Sequence, residues 1–269
     1  MKQTLLSLLA VAATLASCEK EIDIDYQSAA PLYVAEGILT QDRIAVTLTT
    51  TQLMEENTRT GHYVADATVV VSCKKEGSSD TLRYTHNGIY RSAYRGIAGQ
   101  SYDLDIYVAG QHFHSTSTMQ EAAVLKSMKF VWQDMVGQRL LFAKLLLDDT
   151  PGQNSYYFMH LYRNGVGYRW AVMSDEHNHN GELQQLFSCC SERDMDKGDE
   201  DALRDGDQML MEIRAIDRRT YDYFYSLQTM DNAGSNPIAH FTGGCLGYFS
   251  ACHVQSHNMV FRRSEVEEE

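Results

Sequence analysis

A rapid succession of short β-branched runs constrains this chain more than any other feature. Residues 32–36 (LYVAE), 44–50 (IAVTLTT), 67–72 (ATVVVS), 81–84 (TLRY), 89–91 (IYR) and 101–108 (SYDLDIYV) are partly alternating and separated by polar turns. Alternation with period two places one face of each strand on a core and the other in water. Six or seven such strands over roughly 90 residues predict an immunoglobulin-like β-sandwich. Gly96 and Gly99 stand just ahead of Tyr102, as at the turn into a late strand where a tyrosine packs the corner.

A second β-rich region follows. Residues 128–132, 139–147, 156–162, 168–173 and 209–216 are strand candidates. The run 140–147 also fits a helix on periodicity, but a turn at 148–152 and another aromatic strand come next, so a strand is predicted. Residues 174–208 are polar and acidic and predict a long surface excursion. Asp217 or Thr220 can cap a helix whose Tyr221, Phe224, Tyr225, Leu227 and Gln228 share a face. A last strand is expected around 246–254. The predicted fold class is therefore mostly β: an immunoglobulin-like sandwich over 31–122, a second β-rich domain with one helix over 123–262, and an acidic tail over 263–269.

The start of the chain carries the clearest functional signal. Lys2, an uncharged apolar run over 5–15 and a small-residue approach to Cys18 make a signal peptide over 1–17, too short to span a bilayer. Leu15-Ala16-Ser17-Cys18 resembles the lipobox of bacterial lipoproteins, in which the cysteine is lipidated and becomes the mature N-terminus. Acyl chains on Cys18 would hold the protein on a membrane, each buried methylene contributing about 0.8 kcal/mol. Residues 18–30 read as an acidic tether, and acids after the cysteine resemble the tag that sends lipoproteins to the outer cell surface. The formal charge of −13 opposes nucleic-acid binding, which needs a basic face.

Several stretches together resemble one family of Bacteroidetes-type outer-membrane lipoproteins, the domain-of-unknown-function 4249 family. They are Cys18-Glu19-Lys20-Glu21-Ile22, Tyr33-Val34-Ala35-Glu36-Gly37, Ala67-Thr68-Val69, Gly88-Ile89-Tyr90, Tyr102-Asp103-Leu104, Ser174-Asp175-Glu176, Asp205-Gly206-Asp207, Tyr221-Asp222-Tyr223-Phe224 and the closing Gly243-Gly244-Cys245-Leu246-Gly247-Tyr248-Phe249. The resemblance implies a lipid-anchored outer-membrane protein accompanying a TonB-dependent receptor in nutrient capture, and it brings no catalytic residues with it. In the closing run, glycines permit close approach to the last strand and the two aromatics fill its opposite faces.

Candidate chemistry is sparse. An exported chain can form disulfides. Cys245 and Cys252 lie about 23 Å apart on one extended strand, so each would look to Cys189 or Cys190, leaving Cys73 as a buried thiol. His112 and His114 would point to one face of a strand, and His177 and His179 sit beside Asp175 and Glu176, so either pair could offer metal or haem ligands. Tyr156, Tyr168 and Trp170, with the loop over 174–207, form the candidate ligand surface. No enzyme fingerprint is present and no cofactor is implied. The expected function is binding rather than catalysis. A structural or adhesive role and metal or haem capture are the alternatives.

Overall fold

The structure is a computed structural model and describes residues 30–52, 62–135, 137–148, 154–176, 181–229 and 237–269. The expected signal peptide, Cys18, most of the expected tether, His177 and His179 lie outside the described residues. Residues 31–269 form one unit, built from two sandwiches.

In the first sandwich, β1 (Tyr33–Leu39), β2 (Ile44–Thr50), β7 (Ile89–Ser92) and β6 (Arg83–His86) make one sheet, with β3 (His62–Tyr63) on the flank of β2. The other sheet runs β5 (Ser78–Thr81), β4 (Thr68–Cys73), β8 (Ser101–Val108), β9 (Gln111–Thr118). This is the immunoglobulin-like order. The alternating apolar positions do what the pattern predicts: Val46, Leu48, Val69, Val71, Leu104 and Ile106 fill one core between the sheets. Tyr102 forms the corner, its hydroxyl accepting the Ile97 N–H at 2.7 Å.

The second sandwich repeats that order. β10 (Val124–Met135), β11 (Gln138–Asp148) and β14 (Glu182–Ser191) form one sheet, and β13 (Val166–Ser174), β12 (Tyr156–Arg163), β15 (Gln208–Ile216) and β17 (His253–Val260) the other. The run 140–147 is strand, as predicted. The expected excursion over 174–208 is largely regular structure instead. Leu183, Phe187 and Cys189 alternate inward on β14 and join the core with Phe130, Leu141, Leu145, Met159 and Ile213. Helix α1 (Glu192–Lys197) follows, its start held by a reciprocal capping box between Ser191 and Asp194.

Between β15 and β17 the chain leaves this sandwich, forms helix α2 (Arg218–Thr229), and lays β16 (Leu246–Ala251) parallel on the edge of β1. The expected domain boundary is therefore crossed: Phe241, Cys245, Phe249 and Ala251 belong to the first core. The expected single strand over 246–254 is two strands that separate at Cys252 and serve different sheets. Phe249 enters the first core, while Tyr248 turns to a third cluster with Tyr156, Phe158, Tyr223 and Phe224. The glycine before them is required. Gly247 has φ +94°, and a Cβ there would stand 2.0 Å from the Ala35 carbonyl oxygen.

Asp217 caps α2, accepting the Thr220 N–H at 2.9 Å, and its second oxygen accepts from the Ser117 hydroxyl and the Thr118 N–H, each at 2.7 Å. One carboxylate thus ties the helix to β9. The buried face of α2 is Thr220, Tyr223 and Phe224, whereas the expected Tyr225 and Leu227 are exposed. The closing acids also differ from expectation. Within the expected acidic tail, β18 (Glu267–Glu268) lies parallel on β10.

Gly247→Ala should cost about 2–4 kcal/mol, because backbone must shift both to relieve the clash and to accept positive φ. A urea midpoint within error of wild type would contradict this close approach.

Candidate functional site

A concavity lies where the β1–β2 turn faces the outer side of the β12 sheet. It is a cleft of about 450 Å³ lined by Thr40, Gln41, Asp42, Arg43, Glu212 and Arg214 among others. Gln41 fixes its wall, donating to the Val254 carbonyl at 3.0 Å and accepting the Val254 N–H at 3.1 Å. Its floor is an ion pair, with Arg214 Nε donating to Glu212 Oε1 at 2.6 Å. Burial works against charge on Arg214, but Glu212 outweighs it and holds the guanidinium pKa above its ordinary value.

A row of rings runs beside this floor. Strand alternation puts Tyr156, Phe158, His160 and Tyr162 on one face of β12. His160 stacks on Tyr162 at 4.0 Å between centroids, Phe158 on Trp170 at 5.8 Å, and Arg214 lies over Phe158 at 5.1 Å. Burial, with help from Arg214, lowers the His160 pKa, so the ring is neutral at pH 7 and has one donor and one acceptor nitrogen. Gly167 makes room for it, since a Cβ there would stand 2.8 Å from His160 Nε2. Helix α2 covers the Tyr156 end of the row, and Trp170 remains 38% exposed.

The structure divides the expected ligand surface. Tyr156 is buried, its hydroxyl donating to Glu176 at 2.8 Å. Trp170 shares that face, but Tyr168 packs against the opposite core and donates to the carbonyls of Cys189 and Asp201. The cause is a bulge between Leu161 and Tyr162, opposite residues 167–169, which reverses the alternation. Sequence reading missed Glu212, Arg214 and Gln41, although Glu-x-Arg on a predicted strand was a legible sign of two charges on one face.

The expected disulfides are not formed: Cys73, Cys189, Cys190, Cys245 and Cys252 are all free thiols. Cys189, Cys245 and Cys252 sit in three different clusters, which keeps them apart. Burial pushes the Cys189 and Cys245 thiols up to about 12, and so into the unreactive form. His112 Nε2 and His114 Nδ1 both bond Asp105 Oδ1, at 2.7 and 3.0 Å, and no cluster suited to a metal ion occurs among the described residues.

Ser115, His240 and Asp217 come near one another in the interior. Ser115 Oγ lies 2.7 Å from His240 Nδ1 and donates to the His240 carbonyl at 2.9 Å, but both side chains are fully buried. Burial, opposed by Asp217, pushes the His240 pKa down to about 4.

Set against known proteins, a family profile described as "Domain of unknown function (DUF4249)" matches residues 19–258. The chain belongs to the DUF4249 family. No curated protein matches it. Among solved structures, a DUF4785 family protein from Legionella pneumophila is similar at a TM-score of 0.25 and 10% identity, over 68% of this chain and 52% of that one. The matched region spans about half of that protein, and a likeness this distant bears on no functional question.

Two outcomes follow from the geometry. Neutral His240 contributes stability that is complete above the free imidazole pKa of about 6.5 and is lost as pH falls toward the folded value of about 4. The loss should reach about 3 kcal/mol, and His240→Gln should flatten the urea midpoint over that window; parallel profiles would refute this source. Arg214→Leu, which leaves the Glu212 carboxylate half-buried, should cost about 1–3 kcal/mol. Adding Glu212→Gln should restore part of that stability in the same denaturation assay.

Proposed function

We propose that this DUF4249 protein is a lipid-anchored binding protein of the outer membrane, accessory to a TonB-dependent receptor in nutrient capture. The observation that carries the binding part is the cleft floored by Glu212 and Arg214 beside half-exposed rings. Such a site combines apolar contact with fixed donors and acceptors, which suits holding a small ligand. Its two charges neutralise each other, so the ligand need not be strongly charged. Anchoring rests on the lipobox at Cys18, which would confine the protein to the membrane plane and raise its effective concentration near a receptor there.

Cys18→Ser should move the protein from the membrane pellet to the soluble fraction; undiminished pelleting and palmitate labelling would overturn the anchor. For the partner, tagged protein from detergent-solubilised membranes should carry a TonB-dependent receptor with it. Failure to recover one, with unchanged growth on defined nutrients after deletion, would remove the accessory role.

A further inference from the structure

The two sandwiches treat their first strands alike. The outer edge of β1 is occupied by β16 in parallel over six residue pairs, Val34↔Leu246 to Leu39↔Ala251. The equivalent edge of β10 also receives a parallel strand from late in the chain, but only at Val131↔Glu267 and Trp132↔Glu268, with Glu269 N–H donating to the Trp132 carbonyl at 3.1 Å. β10 is 12 residues long. Over residues 124–130 its edge has no strand neighbour among the described residues, and it opens on a cleft lined by Ala123, Val124, Leu125 and Gln255, Ser256, His257.

The charge pattern beside this edge asks for an anion. Lys129 and Lys144 are directly opposite on β10 and β11, and like charges in that position are destabilising. Here the closing acids resolve the conflict. Glu269 reaches both, at 3.2 Å from Lys129 and 2.7 Å from Lys144. Glu267 also pairs with Lys129, and Glu268 with Arg139. The approach is fixed upstream, where Arg263 pairs with Asp196 at 2.8 Å and Glu192 at 3.1 Å. In a chain with 36 acids and 23 basic residues, three cations matched to three consecutive acids are a selective arrangement.

We propose that the β10 edge with Lys129, Lys144 and Arg139 is a docking site for an extended acidic segment of a partner protein, occupied in cis by Glu267, Glu268 and Glu269. Backbone hydrogen bonds to the strand edge would supply affinity and the cation row would select acidic side chains. The short cis strand fills only part of the edge, so a longer partner strand gains pairings over residues 124–130 that the resident segment does not make. A tethered competitor acts at about millimolar effective concentration, which keeps the site closed to weak ligands. Its cation row lies outside the cleft at Glu212 and Arg214, which meets the far end of this edge at Ser256.

The test is fluorescence anisotropy at low salt with a labelled Ser-Glu-Val-Glu-Glu-Glu peptide. Both a chain lacking residues 267–269 and the full-length E267Q/E268Q/E269Q variant should bind it about tenfold or more tightly than the intact chain. Adding K129E/K144E should abolish that binding. Equal binding by all three proteins, none by any, or binding that survives K129E/K144E or is matched by a Ser-Lys-Val-Lys-Lys-Lys peptide would overturn the proposal. So would concentration-dependent dimers of the deleted chain in sedimentation, which would make a second copy the occupant.

Discussion

The fold depends on one close approach, that of Gly247 to the backbone of Ala35. Because no side chain intervenes, β16 can hydrogen-bond along β1 with Tyr248 and Phe249 facing opposite cores. Without that contact the excursion between β15 and β17 would be a long loop with its aromatics exposed. With it, α2 is held over the outer face of the β12 sheet, and Asp217 ties the helix to β9. The two sandwiches are joined by β16, a helix and a third core.

The candidate site is a by-product of that joint. The β1–β2 turn is held against β15 and β17 by Gln41, and this places Asp42 and Arg43 opposite Glu212 and Arg214. Neither sandwich alone would form the cleft. The aromatic row is shaped by the same economy: α2 buries its Tyr156 end and leaves the end bearing Trp170 accessible.

Much of this was legible in the sequence. The period-two runs before residue 110 gave their strands because β-branched residues alternated cleanly, and Tyr102 behind two glycines announced its corner. Asp217 was recognisable, alongside Thr220, as a candidate cap because the side chain and the helix it starts are neighbours in sequence. What could not be read was long-range. Glu182, Gln184 and Gln185 looked like loop because their strand is half exposed, and only the inward Leu183 and Phe187 betray it. Plain alternation puts Tyr168 and Trp170 on one surface, and the bulge at Leu161 separates them. Nothing local in Leu246-Gly247-Tyr248-Phe249 says which sheet it will join, and a cysteine's spacing cannot say which core will enclose it.

The parallel pairing of β16 with β1 joins residues 34–39 to residues 246–251, far apart in sequence. Contacts so remote in sequence are slow to form, since loop closure precedes any reward. The first sandwich, though its first strands are synthesised early, stays unfinished at the β1 edge until residues 246–251 can reach it. Closure of the first sheet therefore waits on a strand made some two hundred residues after β1, and a product truncated before residue 246 would carry a permanently open edge.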